Sequence, residues 1–156
     1  MTVRPARADE YAQVGDLTVR AYAADNSMGN EGYAARLRDA EHRAEQAELL
    51  VAEVDGHLVG TVTFVGFGGE YADVARPGEA EFRMLAVAPE ARKRSVATTL
   101  VRACIRRANE LGGTPSWLAP WTTRALRGAC TRNWVSSVTP NAIGSLYRAS
   151  TYSAIE

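Results

Sequence analysis

Leu85-Ala86-Val87-Ala88-Pro89-Glu90-Ala91-Arg92-Lys93-Arg94-Ser95-Val96-Ala97-Thr98 reads as a buried strand that runs into a short turn and then opens a helix. The first N–H groups of such a helix have no intrahelical partner, and they sit at the positive end of the helix dipole. Together they suit an anion, and small side chains there let a phosphate reach the backbone. Arg92, Lys93 and Arg94 add positive charge at the same point. Three basic residues in a row are equally what a solvated surface turn looks like. The elements on either side decide between the two.

Downstream, Val96, Leu100, Val101, Cys104, Ile105, Ala108 and Leu111 form one apolar stripe, with Arg102, Arg106, Arg107 and Asn109 outside it. That spacing predicts a helix over 95–111, ended by Gly112 as a C′ glycine. Upstream, 81–87 is rich in β-formers and follows a loop over 66–78. Before the loop, two β-rich runs, 49–54 and 57–65, flank Asp55-Gly56. A type I′ turn needs positive φ at both central positions, so Asp-Gly between such runs is a strong hairpin signal. Further back, 33–48 reads as one helix rich in Ala, Arg and Glu, with charged pairs three or four apart. A polar break covers 25–32, and Asp9 offers an N-cap for a helix through Tyr11, Val14, Leu17, Val19 and Tyr22. Thr2 to Arg4 alternates like a short strand. The order strand, helix, helix, hairpin, strand, helix predicts an α/β (α+β) arrangement in which an antiparallel meander feeds one strand-to-helix crossover.

Composition fits one globular domain of 156 residues, with 46% apolar and 23% charged positions and 18 basic against 18 acidic side chains. A zero net charge supplies no general attraction for nucleic acid or an anionic membrane, so neither is expected as a partner. No stretch approaches the roughly 20 apolar residues of a membrane helix, and Met1-Thr2-Val3-Arg4-Pro5 lacks the apolar core of a signal peptide. Two cysteines, Cys104 and Cys130, make no disulfide framework, and the expected compartment is the cytoplasm. With His42 and His57 they match no usual metal-ligand spacing, so no metal is expected. There is no Gly-Lys-Ser/Thr for a Walker loop and no Gly-x-Gly-x-x-Gly for a dinucleotide.

With the elements in this order, 92–97 resembles the acetyl-coenzyme A loop of the GNAT superfamily of N-acyltransferases, whose pattern is Gln/Arg-x-x-Gly-x-Gly/Ala after a strand ending in apolar-x-Val-x-Pro. Arg92 matches the first position and Ala97 the last; Ser95 stands where the family has glycine, and Lys93 where many members have another. The likeness in order covers 2–112, about two thirds of the chain. It implies a mixed, mostly antiparallel sheet flanked by helices, acetyl-CoA as co-substrate, and direct transfer of its acetyl group to a primary amine of a small molecule or peptide. By resemblance, Arg92, Lys93, Arg94, Ser95, Val96, Ala97 and Thr98 bind the pyrophosphate, and Leu85, Ala86 and Val87 contact the pantetheine arm. At Ser95 a Cβ either crowds the phosphate or requires a φ that serine adopts at a cost. Family members are often dimers, which makes a homodimer one expectation for the assembly.

Transfer from a thioester to an amine needs a deprotonated amine, a polarised carbonyl and an acid for the leaving thiolate. Glu81 resembles a position that some members use as the base, directly or through water; the alternative is a strand-end carboxylate or a partner of Arg83. Backbone N–H groups near Val87 would polarise the carbonyl. His42, in a charged helix, and His57, beside the hairpin turn, read as solvated, and Cys104, on the apolar stripe, reads as core rather than nucleophile.

After Gly112-Gly113-Thr114-Pro115 the composition changes. From Pro115 onward there are four basic residues and one acidic, against 14 and 17 before it, and all three tryptophans lie there. The domain is therefore read as 1–156 with an atypical tail over 113–156. In the family a Leu-Tyr-x-x-x-Gly-Phe motif follows the cofactor helix, and its tyrosine is the usual thiolate acid. The nearest match is Leu146-Tyr147, followed by Ser150-Thr151-Tyr152 rather than Gly-Phe, which makes Tyr147 the catalytic-acid candidate. A second reading rebuilds each codon from the last base of one and the first two of the next. Trp121-Thr122 must then yield Asp and Asn133-Trp134-Val135 must yield Leu-Gly, and the shifted string can spell LYTELGF at the distance where the family carries its motif. On that reading the coding frame shifts between about Gly112 and Trp121. The alternative function is then a catalytically inactive acyl-CoA-binding or interaction module.

Overall fold

Asp55 and Gly56 take φ values of 51° and 79°, the pair of positive angles that a type I′ turn requires. They join β2 (Glu48–Val54) to β3 (His57–Val65) in antiparallel register from Glu48↔Phe64 to Val54↔His57. The computed structural model describes residues 1–27, 31–67, 71, 72, 75 and 80–112. β1 (Thr2–Pro5) pairs antiparallel with β2, and β4 (Glu81–Val87) with β3, giving a four-stranded antiparallel meander in the order β1-β2-β3-β4. The helices are α1 (Tyr11–Ala24), α2 (Glu31–Arg38), α3 (Ala40–Gln46) and α4 (Val96–Glu110). The expected α/β fold with helices flanking a largely antiparallel sheet is therefore present. Among the described residues every strand pair is antiparallel.

β3 is central and buried on both faces, as its run from Gly60 to Val65 implies. Gly60 faces α4, whose Val96 and Leu100 lie over it. Thr63, on the opposite face of the strand, reaches the guanidinium of Arg43 in α3 at 3.5 Å. The helices thus cover both faces, and Val14, Leu17, Leu37, Val51, Val62, Phe64, Leu100 and Cys104 fill the layers between.

Three local expectations are corrected. Asp9 does not cap the first helix; it lies within a 3-10 turn (Ala8–Glu10), and Glu10 instead accepts the Arg7 N–H at 2.8 Å. The reading of 33–48 as one helix fails at Asp39. Its carboxylate accepts the His42 N–H at 3.0 Å and starts a new helix, because an N-cap bond satisfies a donor that a continuous helix would use differently. Glu48 belongs to β2, where it meets Arg107 at 2.8 Å. On α4, Ile105 is half-buried and Leu111 is exposed, so the apolar stripe is narrower than its pattern; Ala103 fills in on the buried side. Gly112, with φ 77°, is the expected terminator.

Arg43 is fully buried and no carboxylate lies within ion-pair reach of it among the described residues. It donates instead to Leu37 O at 2.9 Å, Thr18 Oγ1 and Asp39 O at 3.3 Å, tying α1, the α2–α3 corner and β3 together. Burial pulls its pKa down.

Glu10 closes the other end of the sheet. Arg4 holds its carboxylate in a two-pronged grip at 2.8 and 2.7 Å, and Arg7 Nη2 adds a third contact at 2.6 Å. The hydrogen bonds from Arg4, against an opposing cost of burial, lower the Glu10 pKa from 4.5 to about 2. A depressed acid stabilises the fold fully above its unfolded pKa and less as pH falls through the folded one. Unfolding free energy followed by denaturant titration is therefore expected to drop between pH 4.5 and 2. Glu10→Gln should flatten that limb; an unchanged acid slope in the variant would remove Glu10 from the account.

Candidate active site

The end of β4, the turn after it and the first turn of α4 form one continuous feature. In β3 and β4 the register runs Thr61↔Ala86 and then Thr63↔Arg83, so Met84 and Leu85 together oppose Val62. This is a β-bulge, and Met84 carries its strain at φ 51°. On its far side β4 has no strand neighbour among the described residues.

Beyond β4, Pro89–Ala91 forms a 3-10 turn, with the Ala88 N–H donated to Val59 O at 2.9 Å. Arg92 is extended (φ −63°, ψ 157°), Lys93 and Ser95 are left-handed at φ 60°, and Val96 starts α4. The serine in the glycine position of the resembled pattern thus does adopt a φ that favours glycine. Each such non-glycine residue costs about 1–2 kcal/mol. Ser95 gives no side-chain cap to α4, and the first turn of the helix holds no acidic residue. Among the described residues its leading N–H groups therefore have no side-chain cap and its dipole no acidic partner in the first turn, and they lie beside the exposed side chains of Lys93 and Arg94.

Within the proposed cofactor segment the side chains fall into two groups. Ala86 and Val96 are 1% and 2% exposed, and their side chains belong to the core. Leu85, Val87, Ala97 and Thr98 are half-buried. The Arg92 guanidinium is turned toward α1: Nη1 stands 2.9 Å from Asp25 Oδ1, and Nη2 donates to Ala21 O at 3.2 Å.

Glu81 opens β4 and is buried, 7% exposed, rather than a solvated strand end. Its Oε2 accepts the Ala75 N–H at 3.1 Å, and Arg83 Nε lies 3.8 Å from Oε1. Arg83 also donates to Tyr71 O at 3.0 Å and stands 5.4 Å from the Tyr71 ring centre. The pairing with Arg83 considered from sequence therefore exists, and it places a carboxylate, a cation and an aromatic ring together at the start of β4. His42 is exposed, its ring centre 6.1 Å from that of Tyr71 in an edge-to-face arrangement, and His57 is exposed as well. Cys104 is fully buried, and burial pushes its thiol up to about 12, which suits a core residue and not a nucleophile. Tyr147 and Cys130 lie outside the described residues.

Sequence reasoning missed the Met84 bulge, which no residue type announces, and Asp25, whose partner Arg92 is remote in the chain. Among the described residues there is no cluster of three His, Cys, Asp or Glu side chains that could hold a metal, and no helix long and apolar enough to cross a membrane.

A family model described as the acetyltransferase (GNAT) family matches residues 13–130. No curated protein matches the chain. Among solved structures, it is similar to a GNAT family acetyltransferase from Brucella melitensis in complex with acetyl-CoA, at TM-score 0.56 and 22% identity, covering 72% of this chain and 70% of that one. It is similar to the histone acetyltransferase HPA2 and related acetyltransferase from Corynebacterium glutamicum, at TM-score 0.54 and 24% identity over 69% and 71% of the two chains. A predicted acetyltransferase from Clostridium acetobutylicum with acetyl-CoA shares the fold at TM-score 0.54 and 15% identity, over 73% of this chain and 77% of that one.

Proposed function

The chain belongs to the acetyltransferase (GNAT) family, and on that premise we propose that it binds acetyl-CoA along β4 and the first turn of α4 and transfers the acetyl group directly to a primary amine of a small molecule or peptide. One observation carries the reading. A bulged strand leads into a helix start that, among the described residues, has no side-chain cap, no acidic residue in its first turn and two exposed cations beside it, so the residues present fit an anionic pyrophosphate.

Lys93 to Thr98 hold the pyrophosphate through backbone amides, helped by the charges of Lys93 and Arg94. Leu85, Ala86 and Val87 run beside the pantetheine arm, Ala86 through its backbone alone. Acetyl-CoA supplies an acyl group at the oxidation level of a thioester. Backbone N–H groups near Val87 polarise the thioester carbonyl; that of Ala88 is already committed to Val59 O. Glu81 takes the proton of the amine, directly or through water, while the Ala75 N–H fixes one of its oxygens. Tyr147 is the candidate to protonate the leaving thiolate. The same reading takes 1–156 as one domain, the cytoplasm as its compartment and a homodimer as the assembly to test.

Calorimetric titration of the purified chain with acetyl-CoA, and with CoA as comparison, tests the binding step. Glu81→Gln should bind acetyl-CoA as the parent does while thiol release with an accepted amine falls by about 10²–10⁴-fold. Absence of binding by the parent ends the reading, and an unchanged rate in the variant removes Glu81 as the base. A second reading is favoured by the Ser-Thr-Tyr ending after Tyr147: binding that persists while a panel of amines releases no CoA.

A further inference from the structure

Arg92 occupies the first position of the cofactor turn, yet its guanidinium serves α1. The Asp25 N–H, which would ordinarily close the last turn on Ala21 O, goes to Tyr22 O at 3.2 Å. Asn26 follows in the left-handed region at φ 51° and bonds Ala23 O. Ala21 O is thereby left for Arg92 Nη2, and Nη1 takes the Asp25 carboxylate. A cation with fork geometry thus caps the negative end of α1 from 71 residues away. The contact is partly shielded, with Asp25 14% and Arg92 37% exposed at the side chain. Arg20 and Glu90, 3.7 Å apart, add a second but solvated link between the same elements.

We propose that Asp25 and the C-terminal turn of α1 are a strut that holds the 92–95 turn in its ligand-binding shape, making Asp25 a positioning residue for acetyl-CoA. The turn needs such a strut because it has no glycine. Lys93 and Ser95 both sit at φ 60°, where an L side chain is disfavoured, so a conformation that glycine would adopt freely must be imposed from outside. Arg92 is the residue immediately before the first of these two positions and is the one whose side chain is gripped. Its contribution to cofactor affinity is then indirect, through the shape of the turn and not through a charge on the phosphate.

This inference rests on the reading that the turn binds acetyl-CoA, and two readouts keep the two apart. The first needs no ligand. Trypsin should cleave after Arg92, Lys93 or Arg94 several-fold faster in Asp25→Asn and Asp25→Ala than in the parent, with fragments identified by mass. The second is acetyl-CoA titration. Asp25→Ala should weaken binding by about tenfold, the loss of one charge-assisted bond, and Ser95→Gly added to Asp25→Ala should restore most of it, because glycine takes the left-handed φ unaided. Equal cleavage in parent and variants overturns the strut. So does a loss of affinity that Ser95→Gly leaves unrescued, which would assign the effect to charge. If the parent itself binds no acetyl-CoA, the functional reading falls, and the cleavage rates alone decide the strut.

Discussion

Gly15→Ala is expected to destabilise the chain by about 3 kcal/mol, lowering the melting temperature by roughly 10 °C. Two effects of opposite sign meet at this position. In the interior of a helix alanine is better than glycine by about 1 kcal/mol, so propensity alone predicts a gain. Against it, a Cβ built on Gly15 would stand 2.1 Å from Arg38 O, 3.0 Å from Arg38 C and 3.3 Å from Arg38 Cα. All three are backbone atoms at the end of α2, so no rotamer change relieves the overlap. α1 must move off the α2 terminus by about the width by which the contact is too short, and Val14, Leu17 and Thr18 beside Gly15 are buried at 2% exposure or less. Overpacking that shifts backbone sits at or above the upper end of its usual 1–3 kcal/mol range, which outweighs the propensity gain. Thermal unfolding followed by circular dichroism distinguishes the outcomes. A melting temperature equal to or above the parent's would mean that α1 and α2 do not cross this closely.

Strong local signals were legible and cooperative ones were not. Asp55-Gly56 announces its turn because few residue pairs tolerate two positive φ values, and β3 and β4 begin and end where the β-rich runs do. The start and stop of α4 were likewise written locally, in the turn residues and in Gly112. By contrast, Arg43 reads as one more charge on a polar helix, and only the assembled layers show it buried against Thr18, Thr63 and Leu37 O. Glu10 displaces Asp9 as the residue that organises the first helix because Arg4 and Arg7 converge on it, a choice made by tertiary charge and not by capping preference. At the candidate site, the second of the two alternatives left open for Ser95, a φ that serine adopts at a cost, is the one present. The bulge at Met84 and the grip of Asp25 on Arg92 depend on register and on contacts distant in sequence, which a local pattern does not encode. The tail over 113–156 differs in kind. Its composition break, and the Leu-Gly that Asn133-Trp134-Val135 would encode in the shifted frame, motivate the frameshift reading, which bears on Tyr147 as an acid and which resequencing the gene across 112–121 tests.

Gly60→Val is expected to reduce acetyl-CoA affinity by about 100-fold, the loss typical when a binding constellation is displaced by roughly 1 Å. Gly60 lies on β3 where the first turn of α4 rests directly on the sheet. A Cβ there would meet Val96 Cγ1 at 2.8 Å, Leu100 Cδ1 at 3.1 Å and Ala86 O of β4 at 3.1 Å. The first two contacts push α4 away from β3, and the third pushes on the strand beside the bulge. The free N–H groups of α4 and the edge of β4 would then no longer converge on one ligand, although neither Gly60 nor its new side chain touches it. Because the nearest clashing atom is a side-chain methyl, the defect should be repairable: Gly60→Ala alone should weaken binding less than Gly60→Val, and Gly60→Ala with Val96→Ala should bind close to the parent. Stability should fall by about 1–3 kcal/mol in Gly60→Val, so titrations belong well below its melting temperature. Parent-like affinity in a folded Gly60→Val would show that the helix start and the strand edge do not act as one site, and the assignment of acetyl-CoA to their junction would have to be abandoned.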